Sequence, residues 1–239
     1  MNYAKSNKYD EKLIKEKIMG PNPIKLAEEL LADSKIPTGS FVMDLGCGQG
    51  LTSVFLSKEY GFNVIAADLW SNPTDNKNFF DEMGLSFPQI LAVHADASEG
   101  LPFAHESFDG IISIDAFNYF GRDYKVLEEK IMPYVKLGGY VYIAIPGMKK
   151  DLHDNLPAEL LLSWTAEDLD TIHDAAYWKS IVSKCNNAEV VSVSEMEGNE
   201  ELWNDWLACE NPYSIGDRKS MEAGAGKYLN FIAIVLKRI

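Results

Sequence analysis

Short apolar runs of strand length alternate with helix-like segments between residues 41 and 145 of this 239-residue chain. The runs are continuously apolar, which is typical of strands buried on both faces of a parallel sheet. Repeated strand and helix units of this length predict a doubly wound α/β sheet. The predicted strands are residues 41–45, 63–67, 89–94, 109–114 and 140–145, and the predicted helices lie at about 50–59, 75–84 and 122–135.

The segments on either side of this repeat complete a single predicted domain. "DEKLIKEKIM" and "PIKLAEELLADSK" indicate two N-terminal helices, because the proline in "GPNP" stops one helix and restarts another. Strands are predicted at 188–196 and 228–238, with the helix-like "NEELWNDWLA" between them. The stretch 148–186 has no clear strand and contains "LPAELLLSW", which indicates an inserted helical cap. The predicted parts are N-terminal helices 1–37, a cofactor-binding core 38–147, the cap 148–186 and closing strands 187–239.

Composition narrows the class of protein. The formal net charge of −14 repels phosphate backbones and anionic bilayers, so we expect neither nucleic acid nor a membrane as a partner. The N-terminus lacks the apolar region of a signal peptide and no apolar run reaches 18 residues, which predicts a cytoplasmic protein. Three widely spaced cysteines without a CxxC pair indicate neither a disulfide framework nor a zinc site, and no metal is predicted.

The stretch "FVMDLGCGQG", residues 41–50, indicates a ligand-binding cleft. Glycines at the end of a strand let the backbone approach a ligand closely, and the following helix directs its free N–H groups at that ligand. A dinucleotide site prefers G-x-G-x-x-G, whereas this loop reads G-x-G-x-G with Asp44 two residues ahead. Glycine spacing alone does not decide between the kinds of nucleotide.

Four motifs in order resemble those of the class I S-adenosylmethionine-dependent methyltransferases. "VMDLGCGQG" is similar to the family's first motif, "NVIAADLW" to its acidic second strand end, "HADASEGLPFAHESFDGIISIDAFNYF" to its adenine loop and fourth strand, and "VKLGGYVYIAIPG" to its fifth-strand turn. The resemblance covers about residues 38–147, and "YLNFIAIVLKR" fits the family's last strand. It implies a Rossmann-like sheet of seven strands, the last antiparallel, with S-adenosyl-L-methionine as cofactor.

The resemblance also implies roles for individual residues. Asp68, 22 residues after Gly46, would accept hydrogen bonds from both ribose hydroxyls, unless it is a solvated strand end. Asp96 and the backbone of Ala97 would recognise adenine, although "HADAS" also suits a helix N-cap. Asp44 would face the methionine end or be structural. Leu69 or Trp70 would pack on the adenine face, with Leu69 preferred because Trp70 also suits the core. The predicted cofactor-binding residues are Asp44, Gly46, Gly48, Gly50, Asp68, Leu69, Asp96, Ala97 and Asp115.

Residues after the fourth strand are expected beside the transferred methyl group, since open α/β sheets bind ligands at that edge. Methyl transfer depends mainly on positioning, so a general base is optional. The catalytic candidates are Asn118, Tyr119 and His173. His153 and His173 each precede an aspartate, which is equally consistent with surface or capping histidines. Cys47 has no histidine nearby in sequence and is expected to serve packing.

The predicted function is methyl transfer to a small-molecule acceptor. The cap supplies more apolar and aromatic residues than a crossover helix needs. It is expected to form a lid over a mainly apolar pocket for a neutral or cationic acceptor, with the Tyr9 region opposite; core packing is the alternative. A cofactor-binding regulator without catalysis and an NAD-dependent oxidoreductase remain open, as do the acceptor and the oligomeric state. The lid residues are Leu160, Leu161, Trp164, Tyr177 and Trp178.

Overall fold

The computed structural model describes residues 2–239, and its centre is one seven-stranded sheet. The strand order is β3-β2-β1-β4-β5-β7-β6, and β7 runs antiparallel to both of its neighbours. The predicted doubly wound sheet with an antiparallel last strand is therefore confirmed. The strands are β1 Phe41–Leu45, β2 Asn63–Asp68, β3 Ile90–His94, β4 Phe108–Ile114, β5 Val135–Met148, β6 Ala188–Glu195 and β7 Leu229–Arg238.

Helices cover both faces of the sheet, which explains why the central strands are apolar without alternation. Successive side chains of a strand point to opposite faces. In β5, Tyr142 and Ala144 belong to one core, whereas Ile143 and Ile145 belong to the other. The first core also holds Phe55 and the second holds Trp178.

The N-terminal helices are α1 (Glu11–Lys17) and α2 (Pro23–Leu30), and α3 (Leu51–Tyr60) and α4 (Pro73–Glu82) follow β1 and β2. α5 (Phe117–Phe120) follows β4. The helix predicted at 122–135 is instead a π-helix at Val126–Ile131 and a 3-10 turn at Met132–Tyr134. Pro133 lacks an N–H and its ring displaces the carbonyl four residues earlier, so α-helical hydrogen bonds do not continue through it.

The C-terminal half contains more helix than was predicted. The predicted cap holds a 3-10 turn at Leu160–Leu162, α6 (Ala166–Leu169) and α7 (Ala175–Val182). α8 (Asn199–Leu207) confirms "NEELWNDWLA" as a helix, but α9 (Pro212–Glu222) was missed. Its start signal is present, because Asn211 accepts hydrogen bonds from the backbone of Tyr213 and Ser214 and a proline follows it. Among residues 2–239, no helix has the length and hydrophobicity needed to span a bilayer.

Candidate active site

The glycine loop leaves β1 in a conformation that few other residues adopt. Gly46, Gly48 and Gly50 have φ angles of 83°, 52° and 82°. A Cβ on Gly46 would overlap the side chain of Ala116, and one on Gly50 would lie 2.5 Å from the ring of Phe80. The loop is therefore held in a narrow fold directly before α3, where it presents backbone rather than side chains to the sheet edge.

Asp44, near the end of β1, is fully buried, and one of its oxygens lacks a partner. Its Oδ2 accepts a 2.6 Å hydrogen bond from the Ser53 hydroxyl, while Oδ1 is buried without a hydrogen bond. Burial, with the charge of Asp68 nearby, raises the pKa of Asp44 to about 7. A cation placed against Oδ1 would offset this desolvation.

Asp68 ends β2 and joins two loops through its carboxylate. Its Oδ2 accepts from the backbone N–H of Gly48 at 2.8 Å, and its Oδ1 accepts from Trp70 at 2.8 Å and Ser71 at 2.7 Å. A carboxylate offers about four acceptor positions, so capacity for a ligand hydroxyl remains. Asp68 thus fixes the loops after β1 and β2 relative to each other.

The structure brings the predicted adenine residues to the same edge, after β2 and β3. Asp96 accepts from the backbone and hydroxyl of Ser98, and these bonds lower its pKa. One of its oxygens thus belongs to a local turn. Ala97 is buried beside it, while Leu69 is 40% exposed. Trp70 is 75% exposed, and its ring meets Tyr119 edge to face, with the centroids 5.8 Å apart.

The residues after β4 face a large cleft. Asp115 has a φ of 55° and its Oδ2 lies against Gly20; burial and the charge of Asp217 raise its pKa to about 7. Asn118 is buried: its Nδ2 lies 3.5 Å from Thr171 Oγ1, and its Oδ1 has no partner. Desolvation by its neighbours and then the charge of Asp115 raise the pKa of Tyr119 to about 12 although 54% of the residue is exposed, so its phenol stays protonated.

The cleft has a volume of about 1430 Å³ and is walled by segments distant in sequence. α1 and residues 18–21 form one wall, residues 163–172 a second, and α8, α9 and their connection a third. β5 and β7 meet at its floor, where Gly147 pairs with Asn230.

Aromatic and acidic side chains on the third wall are organised around Asp217. Its two carboxylate oxygens accept the indole N–H groups of Trp164 and Trp206, each at 2.8 Å. Trp203 packs beside Trp164 with ring centroids 6.0 Å apart, and its own indole N–H is buried without a partner. On the floor, both polar atoms of the buried Asn230 side chain also lack partners.

The lid prediction is wrong for most of its residues. Leu160 and Trp178 are fully buried in opposite cores, Tyr177 stacks on His173 at a centroid distance of 3.6 Å, and Leu161 does not line the cleft. Trp164 does line the cleft. Tyr9 packs on Phe55 and does not line the cleft. The wall expected from the Tyr9 region is formed by α1 and residues 18–21.

The sequence prediction missed Trp203, Trp206, Asp217 and Asn230. The tryptophans of "NEELWNDWLA" were a visible signal, since two aromatics three residues apart share one helix face. Asn230 begins β7, and only the antiparallel direction of that strand brings it to the carboxyl edge of the others. Asp217 lies on the helix that was not predicted.

His173 does not join Asn118 and Tyr119. It is buried, with Nδ1 3.0 Å from Asp151 Oδ2 and Nε2 3.1 Å from the Asp170 carbonyl, and it is absent from the cleft lining. Both ring nitrogens are therefore engaged elsewhere. Cys47 is buried beside Asn76, and burial raises the pKa of its thiol, which agrees with a packing role.

Comparison with known proteins gives a match over the centre of the chain. Residues 43–143 match the family model of a methyltransferase domain. The 2-methyl-6-phytyl-1,4-hydroquinone methyltransferase of a Synechocystis species is 34% identical over 110 residues, which are 46% of this chain and 33% of that protein. The sarcosine/dimethylglycine N-methyltransferase of Aphanothece halophytica is 27% identical over 150 residues, 62% of this chain and 52% of that protein.

The chain thus spans between one third and about one half of the length of these curated relatives. Among solved structures, phosphoethanolamine N-methyltransferase 2 of Haemonchus contortus, in complex with S-adenosyl-L-methionine, superposes with a TM-score of 0.71 at 16% identity. That comparison covers 100% of this chain and 60% of the other. At this identity the similarity establishes the fold.

Proposed function

This chain belongs to the class I S-adenosylmethionine-dependent methyltransferase family, and we propose that it transfers a methyl group from S-adenosylmethionine to a small molecule carrying an amine. The observation that carries the proposal is the cleft beside β4. It joins carboxylates, tryptophans and buried polar atoms without partners at the edge where the glycine loop ends. Such atoms are costly to bury unless a ligand satisfies them.

The residues at the glycine loop fit the cofactor. Asp44 Oδ1 is a buried acceptor without a partner, suited to a cationic group, and the loop glycines leave the room that side chains would fill. Asp68 retains acceptor capacity for ribose hydroxyls, and Leu69, Asp96 and Ala97 follow β2 and β3 at the adenine side. When bound, the cofactor supplies a methyl group on a positively charged sulfur.

The charge of the cleft favours a cationic acceptor. Its lining contains the acidic residues Glu11, Glu16, Asp115, Glu167, Asp168, Glu210 and Asp217 and the lysines Lys12 and Lys15. Carboxylates and aromatic faces together attract an ammonium group. The Aphanothece and Haemonchus proteins are both named as N-methyltransferases, whereas the Synechocystis protein is named for a hydroquinone.

The chain's own residues would orient the acceptor and remove its proton. An ammonium must lose a proton before its nitrogen lone pair can attack, and Asp115, with its pKa raised to about 7, suits the role of that base. Asn118 Oδ1 and the Asn230 amide would hydrogen-bond polar atoms of the acceptor. The indole rings of Trp164, Trp203 and Trp206 would exclude water. Positioning of the lone pair supplies the remaining catalysis.

Two measurements test this function. Calorimetry with S-adenosylmethionine, its demethylated product and NAD should show binding of the first two only. Mass spectrometry of reactions with a panel of primary to tertiary amines, matched by phenols and carboxylic acids of similar size, should show methylated amines. Binding without turnover of any acceptor would support a non-catalytic regulator, NAD binding alone would support an oxidoreductase, and faster methylation of phenols would overturn the amine assignment.

A further inference from the structure

Two histidines and an aspartate converge outside the cleft, on segments that are adjacent in space only. Asp151 and His153 follow β5, and His173 precedes α7. Asp151 Oδ1 lies 2.7 Å from His153 Nδ1, and Asp151 Oδ2 lies 3.0 Å from His173 Nδ1. The two imidazole rings lie against each other in a tilted arrangement, with centroids 4.3 Å apart and an interplanar angle of 30°.

Each ring lies between two groups that accept hydrogen bonds. His153 Nε2 lies 2.9 Å from the Leu169 carbonyl and His173 Nε2 lies 3.1 Å from the Asp170 carbonyl. Carbonyl and carboxylate oxygens only accept hydrogen bonds, whereas a neutral imidazole carries a single N–H. One nitrogen of each neutral ring therefore faces an acceptor with its lone pair, and where Nε2 carries the hydrogen that nitrogen is Nδ1.

With the hydrogens on Nε2, both Nδ1 lone pairs point at the Asp151 carboxylate, which also only accepts. This arrangement is repulsive unless positive charge lies between the three groups. If each ring instead took up an extra proton, two positively charged imidazolium rings would lie against each other beside a single carboxylate. One divalent ion would satisfy all three ligand atoms, which lie within 4.8 Å of one another.

We propose that Asp151, His153 and His173 bind a divalent transition-metal ion, with zinc as the best fit. Two imidazole nitrogens and one carboxylate oxygen are a common donor set for zinc. Ligating histidines usually donate their second N–H to a carbonyl or carboxylate, as both do here. The Asp151 side chain is 40% exposed, so water can complete the coordination from the solvent side.

The bound ion would hold one wall of the cleft. Residues 169 and 170, whose carbonyls accept from the two histidines, end α6 and precede Thr171 and Ile172 in the cleft lining. Thr171 in turn is the neighbour of Asn118. The backbone N–H of Met148 donates to the His173 carbonyl, so the site joins the end of β5 to this wall. The proposed ion is structural and does not depend on the proposed methyl transfer.

Titration of the full chain tests the site without any activity assay. After chelation and buffer exchange, calorimetry with zinc chloride should give one equivalent bound with a dissociation constant of about 10 µM or tighter, and a matching rise in melting temperature. Cobalt should give visible absorption bands of a nitrogen and oxygen site without thiolate charge transfer, which separates this site from the buried cysteines.

Variants locate the ion. Asp151→Asn and His153→Gln change partly exposed side chains, and each should weaken zinc binding at least about a hundredfold. His105→Ala is the matched control, because His105 is exposed and its ring meets Tyr134 edge to face, away from the cluster. Stoichiometric zinc binding unchanged by both cluster variants would overturn the proposal. Absence of zinc and cobalt binding to the wild-type chain would also overturn the proposal. The two histidines would then be explained as protonated imidazoles beside Asp151.

Discussion

The predicted cofactor residues beside the cleft and the residues that line the cleft differ in how their polar groups are satisfied. On the proposed cofactor side, Asp68 accepts three backbone N–H groups and Asp96 accepts hydrogen bonds within its own turn. On the proposed acceptor side, Asn230 and the Trp203 indole are buried without partners. The first side is fixed by the protein itself, and the second has hydrogen-bonding capacity that a ligand or an ordered water can use. Asp44 Oδ1 is the exception on the cofactor side.

This difference predicts which residues affect both the geometry of the free protein and ligand binding, and which affect ligand binding alone. Groups already paired hold a shape, so their removal disturbs geometry and binding together. Groups without partners do not stabilise the free protein, so replacing them with apolar groups of similar size should weaken the bound state while leaving the stability of the free protein equal or higher. The predictions below test that separation, beginning with the largest expected effect.

Replacing Gly46 by valine should abolish cofactor binding, a loss of more than about a thousandfold, because a side chain there overlaps Ala116 and resists the positive φ angle. Gly138→Val is the matched control: its φ is 79°, but no atom lies within 4 Å of the added Cβ. It should lower stability and leave affinity unchanged. Calorimetry on folded samples of both variants decides, and tight binding by Gly46→Val would refute the loop assignment.

Replacing Asp68 by alanine should reduce cofactor affinity by roughly tenfold to a few hundredfold, through lost ribose hydrogen bonds. It should also lower the melting temperature, because three backbone N–H groups lose their acceptor. Asp96→Ala should have a smaller effect on stability, since its bonds are confined to an exposed turn. If calorimetry shows unchanged affinity for Asp68→Ala, Asp68 does not contact the cofactor.

Replacing Asn230 by leucine should lower acceptor kcat/KM by about tenfold to a hundredfold, with cofactor affinity unchanged within about threefold. Because neither amide atom has a partner, the melting temperature of the free protein should stay equal or rise. Asn187→Leu is the control with a bonded amide, donating to the Glu128 carbonyl at 2.9 Å, and it should be destabilised. Normal turnover in a destabilised Asn230→Leu protein would assign Asn230 to packing.

The pH dependence of turnover should follow Asp115. With a pKa near 7, its carboxylate form rises with pH, so kcat/KM should be about tenfold lower at pH 6 than at pH 8. Asp115→Asn should remove this part of the profile, and any slope that persists belongs to the acceptor or to Asp44, whose pKa is also raised to about 7. An identical profile in the variant would show that Asp115 is not the base.

Stability should change with pH in the opposite direction. The pKa values of Asp44 and Asp115 are raised in the folded state, so the folded protein binds more protons than the unfolded chain between about pH 4 and 7. The contribution of these two carboxyl groups to the free energy of unfolding therefore falls as pH rises through that window. Urea titrations at both ends should show a stability change that is more negative in the wild-type chain than in Asp44→Asn.

The two groups of residues also differ in how far the sequence could predict them. Asp44, Gly46, Asp68 and Asp96 each follow or end a strand whose apolar run is visible, so parallel pairing alone brings them to one edge. The third wall of the cleft is built from α8 and α9, and its floor includes β7. These elements meet β5 and the earlier segments only in the folded chain. Trp178, expected in a lid, faces the second core because α7 packs on the sheet there.

The hydrophobic periodicity of the sequence by itself determined the doubly wound sheet, and the resemblance of its motifs implied the antiparallel last strand and the predicted cofactor edge, because both kinds of signal are local in the chain. Tertiary structure alone decided which tryptophans face the cleft, that Asp217 bridges Trp164 and Trp206, and that Asp151 meets two histidines. Those contacts depend on how separate segments pack. A side chain's partner on a separate segment is fixed by that packing and leaves no pattern along the chain.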